Sequence, residues 1–311
     1  MTFKGTLSSK LQAPIESSNV AEWITMYWSQ TLKRPKYWLL ALVAAIAAIH
    51  LTLLSRIDNS ELFATCLLFW IAAGSLIWDR YETLNLESNW VASLLGTLIV
   101  IGMLTRVGLS PDSASSAWAL PLVAGLGTGL LASGFKGLRQ YWREFIIFGL
   151  LAVYPLLRLT LEAIDLSEIT AKAASFMLWY SGFPVRLQGV FLLMPTSRVE
   201  VYGACSGIQS ILQLLSISVL FLLMFPLRSH IQKVLCVVAA VVIGFVVNAL
   251  RVALMAILNN AGDKNAFDYW HEGQGSLIFS AIAVLVFGCF CWFFFLRNPN
   301  QKTDSGAEGN A

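Results

Sequence analysis

Charge is scarce in this sequence. Only 13% of its 311 residues are Asp, Glu, Lys or Arg, against about 25% in a soluble globular domain. With 57% hydrophobic residues and a mean hydropathy of +0.68, the chain cannot be a soluble domain and reads as a polytopic membrane protein. The formal net charge of +3 is small and spread out, so there is no electrostatic footprint for nucleic acid and no such partner is expected. Histidine is scarce: His50, His230 and His271 stand far apart, which excludes metal-ligand spacing. There is no CxxC among the five cysteines and no disulfide framework. Cys66, Cys236, Cys289 and Cys291 lie inside apolar stretches. Cys289 and Cys291, two apart, face different ways on a helix. No strong repeat is visible, and no cofactor is expected. The first apolar run begins near Tyr37, after 36 mostly polar residues, and no small-residue cleavage site closes it. It reads as a retained anchor rather than a removable leader.

What is present is a series of apolar runs. An all-α transmembrane bundle is expected, with about eight spanning helices at 37–55, 62–78, 90–105, 117–135, 144–158, 207–227, 232–257 and 275–296, most near the length of about 20 residues a bilayer requires. The fifth carries Pro155 and is expected to be interrupted there. In the fourth, Gly125 and Gly129 form a GxxxG pair suited to close helix packing. The expected organisation is a polar cytoplasmic lead (1–36), five spans (37–158), an extracytoplasmic segment (159–206), a three-helix core (207–296) and a disordered tail (297–311). Within the lead, residues 20–34 mix Trp23, Ile24, Tyr27 and Trp28 with charges, as an interfacial helix does, a frayed tail being the alternative reading. Lysine and arginine counts set the orientation. Thirteen fall on the side of the two termini and eight on the other, so both termini are expected in the cytoplasm.

The segment 159–206 carries its own order. Ile169, Ala173, Phe176, Met177 and Tyr180 recur at helical spacing, predicting an amphipathic helix on the membrane surface. Val185–Met194 and Arg198–Tyr202, separated by Pro195-Thr196-Ser197, predict a small hairpin. It leads into Gly203-Ala204-Cys205-Ser206-Gly207, where a long apolar helix begins. A thiol there meets the unpaired N–H groups of a helix start, which favour a thiolate and can hold an oxyanion. Gly207 allows a close approach. A structural cysteine is the bland alternative. Two later residues weigh against it. Arg251 is a costly charge near the outer end of an apolar helix, with Asn248 on the same face to orient it or to donate a hydrogen bond. His271 precedes the last helix in an aromatic, interfacial setting, flanked by Asp268 and Glu272, and its ordinary pKa suits a general base. Snorkelling of Arg251 and polar capping by His271 are the plain readings of each alone. Together, Cys205, Arg251 and His271 at the outer ends of three consecutive helices compose a nucleophilic site.

At Ala204-Cys205-Ser206-Gly207, Asn248-Ala249-Leu250-Arg251, and His271 with Gly275 and Phe279, the chain resembles the exosortase/archaeosortase family of membrane transpeptidases, in a style similar to its cyanobacterial branch. The resemblance is specific over about 184–296. It implies catalytic roles for Cys205, Arg251 and His271. It also implies a cell-membrane enzyme whose site faces outward. The implied substrates are exported proteins with a PEP-CTERM-like C-terminal signal: a short motif, a transmembrane helix and a basic tail. The enzyme would cleave near the motif and pass the new C-terminus to a surface acceptor. Archaeal relatives can carry Arg at the third position, so His271 is either the base or an electrostatic partner. Two other readings remain: a protease that only hydrolyses, and a non-enzymatic transporter or scaffold in which Arg251 binds an anion. Paired broken helices would mark a transporter, and here only Pro155 and the glycines near 125–129 hint at them.

Overall fold

The computed structural model describes residues 35–56, 60–109, 114–162, 164–271 and 275–297. The expected interfacial helix at 20–34, the C-terminal tail and Glu272 lie outside the described residues. The chain divides into two units, residues 1–48 and 49–311, and the site belongs wholly to the second. Helix α1 (Pro35–Arg56) straddles the division. The second unit continues with α2 (Ser60–Trp78), α3 (Trp90–Leu109), α4 (Ala114–Gly137), a 3-10 turn (Leu138–Tyr141) and α5 (Trp142–Glu162). Then come α6 (Ser167–Tyr180), three short strands, α7 (Ile208–Met224), α8 (His230–Ala261), α9 (Lys264–His271) and α10 (Gly275–Cys291). The structure is that of an all-α, multi-pass membrane protein.

Among the described residues, five stretches are long and apolar enough to cross a membrane: Tyr37–Arg56, Trp90–Leu109, Trp118–Leu161, His230–Ala261 and Gly275–Leu296. The third of these, 44 residues long, covers both α4 and α5. Gly134, with φ 64° and ψ −175°, kinks α4 near its end, just before the 3-10 turn that leads into α5. Leu62–Trp78 and Ile208–Met224 are apolar but shorter. At 1.5 Å per residue they fall a little under the ~30 Å hydrocarbon core. Helix α5 runs through Pro155 without interruption, contrary to the sequence expectation. A proline in a membrane helix loses one hydrogen bond, and packed neighbours can offset the loss.

Glycine sets how closely these helices pack. A Cβ on Gly96 of α3 would lie 2.6 Å from the Gly127 carbonyl oxygen and 2.8 Å from the Leu131 nitrogen, so two backbones meet there. Gly125 and Gly129 face Phe145, Phe148 and Leu138 instead. The α3–α4 contact is therefore made through Gly127, between the two glycines of the expected pair. The larger apolar core gathers Phe69, Ile147, Leu151, Leu214, Ala240 and Phe287 with their neighbours.

A second, smaller core underlies the site. It combines Ala171, Ala174 and Leu178 of α6, Leu192, Met194 and Val201 of the strand region, and Val252, Ala253 and Ala256 of α8. Helix α6 thus has two apolar faces. Its small residues pack inward, while Ile169, Phe176, Trp179 and Tyr180 are exposed. The stripe read from the sequence is the outward one.

The strands are β1 (Arg186–Gln188), β2 (Phe191–Leu193) and β3 (Arg198–Glu200), an antiparallel sheet in the order β1-β2-β3. The expected single strand Val185–Met194 is itself a hairpin. It turns at Gly189-Val190, where Gly189 has φ 62°, the positive angle a two-residue hairpin turn demands. Thr196 ties the β2–β3 loop to the end of α8. Its N–H donates to Asn260 Oδ1 (3.1 Å) and its hydroxyl to the Asn260 carbonyl (2.6 Å).

Candidate active site

Between β3 and α7 the chain folds into a 3-10 turn, Gly203–Cys205. The Cys205 N–H donates to the Tyr202 carbonyl (2.8 Å) and the Ser206 N–H to that of Gly203 (3.2 Å). Ser206 is fully buried. Its hydroxyl donates to the Gly203 carbonyl (2.6 Å), and its own carbonyl accepts from Thr170 Oγ1 of α6 (2.8 Å). Ser206 is thus engaged in shaping the turn, and the first turn of α7, whose N–H groups lack intrahelical acceptors, follows directly.

Gly207 caps α7 with φ 93°. A Cβ there would lie 2.8 Å from Asn248 Nδ2. Glycine is therefore required twice, for the left-handed angle and for the approach of Asn248. Asn248, buried on α8, donates to the Cys205 carbonyl at 2.9 Å. One turn earlier on α8, a Cβ on Gly244 would lie 3.1 Å from Ile211 Cα, so the two helices run close together here. Asn248 had two possible uses on sequence grounds, and the contact it makes is with the cysteine's backbone.

His271 is the last residue of α9, a short helix that begins after α8 ends at Gly262 (φ 73°). Its ring stacks on Phe267, with centroids 5.2 Å apart and planes at 25°. Its Nε2 stands 3.9 Å from Cys205 Sγ. That is longer than the ~3 Å of an oxygen-based pair, but sulfur contacts are longer and resting sites are often loose. Arg251 Nη2 donates to the His271 carbonyl at 2.6 Å. A cation at a helix C-terminus is favourable, and this one fixes α9 from α8. Gly275 allows α10 to start tightly against α9: a Cβ there would lie 2.8 Å from the Tyr269 carbonyl oxygen.

The cavity beside the sulfur has a volume of about 280 Å³ and is lined by Arg198, Glu200, Tyr202, Cys205, Phe267 and His271, among others. Burial pushes the Cys205 thiol above the ordinary thiol range. The Arg251 charge, and then a hydrogen bond from the Tyr202 side chain, act against it. The net shift is upward, opposite to the depressed value that a helix start suggested. Nucleophilic use of such a thiol would need a base to take its proton. Tyr202 was not singled out from the sequence, although it lies three residues from the cysteine.

The family model for "Transmembrane exosortase (Exosortase_EpsH)" matches residues 56–288. No curated protein and no solved structure matches the chain. The matched region reaches well beyond the 184–296 segment that carries the motif resemblance and takes in α2 to α5. With well over half the sequence covered, the chain belongs to the transmembrane exosortase family.

Proposed function

We propose that this protein is a membrane-embedded cysteine transpeptidase or protease that cleaves C-terminal sorting signals of exported proteins on the outer face of the cell membrane. The observation that carries the reading is the approach of Cys205 Sγ to His271 Nε2, 3.9 Å apart at the edge of a cavity. Arg251 holds the histidine's backbone from a neighbouring helix. In the proposed reaction His271 takes the thiol proton as Cys205 Sγ bonds to the substrate carbonyl carbon. The oxyanion forms near the Arg251 charge. The C–N bond then breaks, the leaving amine takes the proton from His271, and a thioester remains on Cys205. An acceptor nucleophile, or water, then bonds to the carbonyl carbon and releases the thiol. The substrate would carry a short motif before a C-terminal transmembrane helix, as the PEP-CTERM-like class does.

The test uses membranes containing the protein and a PEP-motif substrate tagged at both ends. Wild type should release the C-terminal tag. Cys205→Ala should abolish release, and Arg251→Ala and His271→Ala should lower it by about 100-fold or more, within the range for a lost general base or oxyanion partner. The mass of the N-terminal product separates transfer from hydrolysis. Release that survives Cys205→Ala would overturn the nucleophile assignment.

A further inference from the structure

The strand that leads into Cys205 has an open side. Val201 donates to the Val190 carbonyl (3.0 Å) and Met194 to that of Ser197 (2.9 Å). In the antiparallel register Phe191↔Glu200, Leu192↔Val199 and Leu193↔Arg198, hydrogen-bonded pairs alternate with pairs that turn their backbone groups away. Residues 197, 199 and 201 therefore bond toward β2. Residues 198, 200 and 202 direct their N–H and C=O groups to the other side, where no further strand follows among the described residues. The Arg198 carbonyl meets Asn259 Nδ2 of α8 at 3.4 Å and that of Tyr202 accepts from Cys205. This leaves the N–H and C=O of Glu200 as the open part of the edge that residues 198, 200 and 202 form before the thiol. The same residues line the 280 Å³ cavity that also holds Cys205 and His271.

We propose that the substrate enters this site as an extended peptide added to the edge of β3, its backbone hydrogen-bonded to Glu200. This rests on the thiol-enzyme reading above and specifies how that site takes its substrate. The occupant is a peptide because the edge offers a main-chain donor and acceptor, which an extended backbone satisfies whatever its side chains. Continuity fixes the direction. β3 runs toward the start of α7, an apolar helix. A chain with its own apolar helix following the cleaved bond must run the same way, so the added strand is parallel to β3. Its carbonyls then advance at about 3.3 Å per residue along β3 toward Cys205. The exposed Glu200 side chain flanks the added strand, whereas the Arg198 guanidinium lies over the Phe191 ring of β2 at 3.6 Å.

The test is disulfide mapping in membranes. Glu200→Cys is introduced into Cys205→Ala protein, and single cysteines are walked along the residues preceding the apolar helix of the tagged PEP-motif substrate. An added strand gives cross-links that rise and fall with a period of two. A helical period, or a flat profile, overturns the proposal. A second arm follows cleavage by enzyme that retains Cys205. Glu200→Ala removes the side chain but keeps the edge N–H, and it sets the reference rate for this arm. Glu200→Pro removes that N–H and should lose tenfold or more. The two readings fail separately. A period of two together with cleavage that survives Cys205→Ala would keep the edge site and overturn the thiol. Thiol-dependent cleavage with no periodic cross-linking would do the reverse. Neither cleavage nor cross-linking would overturn both for this class of substrate.

Discussion

At Cys205 two influences oppose each other. Burial raises the thiol pKa, and the Arg251 charge and the Tyr202 hydrogen bond lower it, in that order of size. The thiolate is the reactive form, so alkylation by iodoacetamide should speed up as pH rises through the thiol's pKa. The midpoint is expected above the ordinary thiol range. Arg251→Gln should move it further up, and Tyr202→Phe should move it the same way by less. A midpoint that falls in Arg251→Gln would mean the guanidinium does not act on the sulfur. This scale was partly open to sequence reading. A thiol, an intramembrane arginine and an interfacial histidine are each unusual where they stand, so each could be found alone. Tyr202 and Thr170 could not. Tyr202 reaches the sulfur only because the 3-10 turn folds the chain back, and Thr170 reaches the Ser206 carbonyl from 36 positions away.

At the scale of elements, the long helices were legible because a bilayer imposes their length and the breaks between them are marked by charge, glycine and proline. The short elements at the site were not. Lys264–His271 is too polar and too short to register as a helix, and the apolar run Val185–Met194 conceals the turn at Gly189. Nor does sequence indicate what holds the helix ends opposite the site. There Arg80, just beyond α2, donates to the Gln140 carbonyl (2.8 Å) and the Leu76 carbonyl (3.0 Å) and pairs with Glu144 of α5. Glu144 is only 3% exposed. Removing its partner leaves a buried carboxylate uncompensated, a loss of about 3–5 kcal/mol. Arg80→Gln should therefore melt markedly earlier in detergent, while Arg80→Met with Glu144→Met should recover most of the loss, because an apolar pair replaces a buried ion pair at little cost. Equal melting of Arg80→Gln and wild type would show that this pair does not hold α2 to α5.

At the scale of the whole molecule, α5 links two chemically different ends. Its start carries the Arg80–Glu144 pair and adjoins Lys136, Arg139 and Arg143. Its finish leads through α6 and the sheet to Cys205. At 1.5 Å per residue, its 21 residues set those ends about 30 Å apart, which is the thickness of the hydrocarbon core. The basic end is expected in the cytoplasm, which puts Cys205 and its cavity outside. A membrane-impermeant maleimide applied to intact spheroplasts at alkaline pH should label wild type, and labelling should disappear in Cys205→Ser. The background should be low: Cys66, Cys236 and Cys291 are buried, and Cys289 is exposed only on an apolar helix. Conversely, Arg139→Cys in the Cys205→Ser background should label only after the membrane is opened. The reverse pattern would place the thiol in the cytoplasm, where an exported substrate never presents its signal, and the sorting reading would fall with the orientation. The expected pattern would place the nucleophile, the open edge of β3 and the arriving sorting signal on one side of the membrane.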